Sequence, residues 1–145
     1  MKILVINQSS VRTPRKFIEA WILQLQKEFL KRKIFDKNSA SKELTLVFLN
    51  PKEAKATNKQ FRSKAYATDV LSFDGMSPDS LGELILCPQV LQKQAKVHGL
   101  KYQEELGYMI LHGILHLLGY DHETGVANAE EMFGIQDEVF AKLLK

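Results

Sequence analysis

Three histidines, His112, His116 and His122, fall within eleven residues of a chain that holds four histidines in all. The first two are four positions apart in an apolar segment, residues 102–118, that reads as a helix. Four residues make just over one helical turn, so both imidazoles share a face and two ring nitrogens can converge on one ion. Gly119 follows and supplies the left-handed conformation that stops a helix and turns the chain. That turn can bring His122 back toward the same ion. Three neutral imidazoles suit Zn²⁺, and a three-ligand site leaves the fourth tetrahedral position to water. Such a water has a pKa near ~7 and supplies hydroxide at neutral pH. Nickel, copper and iron also accept imidazole, so the donor set defines the site more firmly than the metal. Asp121 and Glu123 are candidate acceptors for a ligand N–H. His98 has no such company and reads as a surface or helix-end residue.

The spacing H-x-x-x-H-x-x-G-x-x-H is shared with the metzincin proteases, whose signature carries glutamate after the first histidine as general base. Gly113 stands at that position here and cannot move a proton. The metal cradle is therefore common to both, and peptide hydrolysis by that route is not supported. A second motif runs from Phe61 to Phe73. Arg62 and Lys64 offer cations, and an arginine can grip a phosphate through two parallel hydrogen bonds. Thr68 and Asp69 fix the turn into the strand that follows.

The elements that must position these groups can be read from periodicity. Lys2 to Asn7 is β-rich. Thr13-Pro14 reads as a helix cap followed by proline at the first helical position. Phe17, Ile18, Trp21, Ile22, Leu25, Phe29 and Leu30 then recur at three- and four-residue steps, predicting an amphipathic helix to about Lys33. Residues 34–42 are polar and read as loop. Strands are predicted over 44–49, 70–73 and 81–87, with helices over 52–61, 88–99, 102–118 and 127–144. Mixed strands and helices without strict alternation predict an α+β fold, a small mixed sheet of about four strands packed with helices. No linker or repeat interrupts residues 1–145, which read as one domain.

Composition sets the class. With 45% hydrophobic and 26% charged residues the chain has the balance of a soluble globular protein. The single cysteine, Cys87, excludes an intrachain disulfide and a cysteine-built zinc site. The longest apolar runs are far short of a membrane span, and the N-terminus lacks the apolar length of a secretory signal. No membrane association and a reducing compartment are expected. The net charge of +3 conceals an asymmetry: residues 1–64 hold 15 Lys+Arg against 5 Asp+Glu, and residues 65–145 hold 5 against 12. A polyanion is drawn to the first part and repelled by much of the second.

The segment His112 to His122 resembles the H-G-x-L-H-L-x-G-Y-D-H signature of the YbeY family. Arg62 with Thr68-Asp69-Val70-Leu71-Ser72-Phe73 resembles that family's second motif, and Leu81-Gly82-Glu83-Leu84-Ile85 its following strand, with Glu83 where aspartate is usual. Leu49-Asn50 and Glu130-Glu131-Met132 fit as well. The second motif departs from the common pattern at Phe61, Ser63, Ala65, Ala67 and Asp74, removing an acidic side chain and two prolines without touching Arg62. The resemblance implies a metal-dependent endoribonuclease specific for single strands. Its implied roles are maturation of the 16S rRNA 3′ end and ribosome quality control, beside the small ribosomal subunit in the cytoplasm. It implies an α+β fold with a zincin-like metal-bearing helix. It places the metal ligands on His112, His116 and His122 and the RNA-cleavage arginine on Arg62. Two other readings fit the same residues: a metallohydrolase of another substrate, and a non-catalytic ribosome-binding factor in which the metal pins the last two helices. Tyr66 and Tyr120 are candidates to stack unpaired bases, although both types more often serve packing.

Overall fold

The apolar periods of the chain resolve, in a computed structural model, into four strands and six helices among the described residues. These residues are 1–62, 70–120 and 126–144, with 61, 62, 126 and 127 described through their backbone alone. The chain order is β1 (Lys2–Asn7), α1 (Arg15–Lys31), α2 (Lys37–Ala40), β2 (Glu43–Phe48), α3 (Pro51–Arg62), β3 (Val70–Asp74), β4 (Ser80–Leu86), α4 (Pro88–His98), α5 (Tyr102–Leu117) and α6 (Val126–Leu143). The expected α+β class holds. The sheet has the order β1-β2-β4-β3, with β1, β2 and β4 parallel and β3 antiparallel to β4.

Side-chain alternation explains the layers. Leu44, Leu46 and Phe48 of β2 and Leu84 and Leu86 of β4 join the main core, which Ile18, Trp21, Ile22 and Leu25 of α1 also enter. The intervening residues serve a smaller core on the other face, where Leu71 and Ile85 meet Ala54 of α3. Helix α5 packs on β3 and β4 and against α1, α4 and α6. It is apolar on almost every side, with Leu106, Ile110, Leu111 and Leu115 fully buried, which is the pattern of a central helix rather than a surface one.

Two local expectations are corrected. Thr13 does not cap α1. The cap position is Pro14, and among the described residues no side chain closes the helix start and the buried Thr13 Oγ1 has no hydrogen-bond partner. The Thr13 carbonyl instead accepts from Arg15 N–H at 3.0 Å and the Pro14 carbonyl from Ile18 N–H at 3.0 Å, shifting the helix start by one residue. The second correction is α2, a four-residue helix inside the stretch expected to be loop. It forms because the Asp36 carboxylate accepts the Ser39 N–H at 2.9 Å and satisfies an orphan donor of its first turn. Among the described residues no helix is long and apolar enough to cross a membrane.

Candidate functional site

Helix α5 begins with a side-chain brace. The Glu104 carboxylate accepts the Lys101 N–H at 2.8 Å, and Glu104 and Glu105 sit in the first turn, where negative charge complements the helix dipole. The helix is pressed onto the sheet at Gly113: a Cβ there would stand 2.6 Å from Leu84 Cδ2, an atom of a fully buried side chain. The residue that would carry a protease's general base is thus a packing glycine, with β4 occupying the space of any side chain. The helix ends as its sequence predicts. Tyr120 N–H donates to the Leu115 carbonyl at 3.0 Å, Gly119 N–H donates to the His116 carbonyl at 3.0 Å, and Gly119 takes φ +100°.

Between these fixed ends, His112 and His116 are half-buried on one face. Their ring centroids are 4.6 Å apart with planes 76° from parallel, and the two Nε2 atoms approach to 3.1 Å. Two imidazoles bound tetrahedrally to one ion at ~2.0–2.1 Å have their nitrogens roughly 3.3 Å apart. The pair therefore fits a shared transition ion with a movement of a few tenths of an ångström. The other nitrogen of His112 is engaged as well. His112 Nδ1 lies 3.0 Å from Gln136 Oε1 on α6, and an amide oxygen can only accept. The proton is assigned to Nδ1 on that ground, which leaves Nε2 with a lone pair toward His116.

Gln136 was not legible as a site residue, yet it is almost fully buried and aligned with Met132 and Val139 of the core stripe of α6. A glutamine interrupting an apolar i, i+4, i+7 row is the signal that points to it. Phe133, one turn earlier, stacks over the His112 ring at 6.4 Å between centroids. The seam continues to Tyr108, whose hydroxyl donates to Asp137 Oδ1 at 3.1 Å. Burial first, and the Asp137 carboxylate second, push that phenol up to about 12. Helix α6 therefore grips the histidine face of α5 at three side chains.

Arg62 is the last residue of α3, and its backbone position alone is described. His122, Asp121, Glu123, Lys64, Tyr66, Thr68 and Asp69 lie outside the described residues. Tyr120 packs partly buried against the main core, and desolvation followed by the Glu131 carboxylate raises its hydroxyl pKa, so its side chain serves packing. His98 ends α4 as expected but is not a free surface group: its Nδ1 meets the buried Glu105 carboxylate.

Comparison with known proteins gives the family and the fold. Residues 4–144 match the family model described as Endoribonuclease YbeY. A relative from Bdellovibrio bacteriovorus bearing that description is 59% identical over 145 residues, covering 100% of this chain and 97% of its own. One from Petrotoga mobilis is 36% identical over 100% of this chain and 97% of its own. The solution structure of TM1509 from Thermotoga maritima superposes with a TM-score of 0.64 at 32% identity, covering 95% of this chain and 86% of that one.

Proposed function

The chain belongs to the YbeY family, and from that premise we propose that it is an endoribonuclease that cuts single-stranded RNA at a metal held by His112, His116 and His122. The observation that carries the metal is the 3.1 Å approach of the His112 and His116 Nε2 atoms, with the outer nitrogen of His112 held by Gln136. Zinc is the first candidate, with one ion per chain. A bound transition ion supplies Lewis-acid polarisation of a phosphoryl oxygen and a water of lowered pKa. The protein's own part is to keep the ligands aimed. Gln136 Oε1 accepts the Nδ1–H of His112 and so fixes the tautomer that offers Nε2. Arg62, at the end of α3, neutralises charge that develops on the phosphate. Gly113 brings no general base, because β4 fills the space beside it.

The substrate in this reading is ribosomal RNA, with cleavage at the 16S 3′ end, action in ribosome quality control and association with the small subunit in the cytoplasm. The excess of cations in residues 1–64 suits such a polyanion. The test is cleavage of single- and double-stranded RNA with and without chelator, beside elemental analysis of the purified protein. The expected result is chelator-sensitive cutting of the single strand. Arg62→Ala should abolish cutting with metal content unchanged, and full cutting by that variant would remove Arg62 from the mechanism. Undiminished cutting of RNA by protein stripped of metal would overturn the metal assignment.

A further inference from the structure

Three of the cations in the first part of the chain, Arg12, Arg15 and Lys16, share one place at the opposite end of α5 from the histidine pair. Where β1 ends and α1 begins, a cavity of about 790 Å³ is lined by Arg12, Arg15, Lys16, Phe17 and, from α5, Gln103. The three cationic side chains are exposed, and among the described residues none of them forms an ion pair with a carboxylate. Arg15 donates only weakly to the Val5 carbonyl, at 3.3 Å. Among the described residues no acidic side chain lines the cavity. The nearest in sequence on α5, Glu104, already caps its own helix. Two other surface cavities differ on this point: one contains Asp36, the other Asp74 and Glu83.

We infer that this cavity is a second RNA-backbone site, holding phosphates of a single strand away from the bond that is cut; this rests on the RNA-cutting reading above. The volume is that of a site for a nucleotide-sized ligand rather than for a bare phosphate. Cations on flexible stems beside an aromatic ring are the chemistry by which single strands are held without sequence preference. Phe17 supplies the ring, half-buried and fixed by stacking on Trp21 at 5.8 Å. The dipole of α1 adds a field of the same sign. The site is separate from the histidines. Gln103 precedes His112 by two and a half helical turns, which is ~14 Å along α5 and the opposite side of the helix. A strand that occupies both must span that separation, so a dinucleotide reaches one site and a longer strand both.

The experiment measures binding of a labelled single-stranded oligouridylate, about a dozen nucleotides long, to the full chain across a salt series. Each phosphate contact on a single strand contributes about −0.7 to the slope of log affinity against log salt. The triple variant Arg12→Gln, Arg15→Gln, Lys16→Gln should flatten that slope by about 2, and Arg12→Gln with Lys16→Gln, which keeps the Arg15 contact to β1, by about 1.4. Lys37→Gln, Lys93→Gln, Lys96→Gln removes the same charge elsewhere and should leave the slope as it was. Equal flattening by both triple variants would reduce the effect to net charge and overturn the inference, as would an unchanged slope in the first. Polyglutamate competing as well as the RNA would mark a general anion patch and also overturn it. Failure of the wild-type chain to cut RNA would overturn the proposed function instead, while the salt slopes would still decide the cavity.

Discussion

Each end of α5 carries a histidine contact, and the two contacts have opposite chemistry. At the N-terminal end His98 reaches back from α4 to Glu105, a carboxylate with no exposure of its own and with Oε2 lacking any hydrogen-bond partner. A ring facing a carboxylate is held as a donor, and the contact ties α4 to α5. At the other end His112 and His116 face each other, and the first also meets a neutral amide, that of Gln136. Each ring turns its Nε2 to the other there, a geometry in which two nitrogens can serve one cation. One helix thus separates a histidine that braces from a pair that can ligate, and what separates them is the partner atom rather than the ring.

The comparison is broken most severely at the paired rings. His116→Ala should lower metal content well below one ion per chain and reduce RNA cutting by more than about 100-fold, since outer partners of metal ligands alone are worth 10–100-fold. It should also lower the melting temperature of metal-loaded protein, because an ion bound only by the folded chain stabilises it. Unchanged metal content would refute the ligand assignment. Gln136→Leu is the sharper probe, since it keeps bulk in the core of α6 and removes only the acceptor for His112 Nδ1. Metal affinity measured by chelator competition should fall about 10–100-fold with the fold retained. An affinity equal to that of the wild type would show that the amide positions nothing.

These groups differ in how far the sequence betrays them. The i, i+4 histidines and Gly119 are local: helix period and glycine conformation fix them without knowledge of any other element, and the two rings lie on α5 with Gly119 just past its end, as the spacing predicts. The core stripes of α1 and β2 are legible for the same reason. Gln136 is not, because a buried amide acquires meaning only from the ring opposite it on another helix. The partner of His98 is hidden likewise, seven residues away across a turn at Gly99, which takes φ +68°. The missed helix α2 rests on one Asp36 cap over four residues, too short for any period to appear. The cavity at Arg12–Phe17 is assembled by β1, α1 and α5 together, so charge counting finds its sign but not its place.

At the bracing end, the expected loss is in stability and not in metal. His98→Ala leaves the buried Glu105 carboxylate without its partner and should cost about 1 kcal/mol, the low end for an orphaned acceptor because His98 is half-exposed. Urea unfolding reads the cost, and metal content should stay at the wild-type level. A fall in metal content would mean that the two ends of α5 are one unit, and the contrast drawn between them would not survive.

The smallest effect concerns α6, on which the ligating end depends through Gln136. Glu28 of α1, almost fully buried, accepts from Arg32 Nε at 2.8 Å and from Lys142 of α6 at 3.0 Å, while Arg32 Nη1 reaches Glu138 of α6 at 2.8 Å. The Arg32 guanidinium, and after it the Lys142 ammonium, hold the Glu28 carboxyl below its ordinary value of 4.5 against the opposing effect of burial. A depressed carboxylate contributes stability that is fully present above its unfolded value and is lost as pH falls through the folded one. Wild-type unfolding free energy should therefore decline below about pH 4.5. Glu28→Gln should be less stable at neutral pH by about 1 kcal/mol and should lose less of its stability on the acid side. Parallel acid profiles for the two proteins would show that this ionic contact does not hold α6 against α1. The position of Gln136 would then rest on the core contacts of α6, among them Met132 and Val139, and on its contacts with α5.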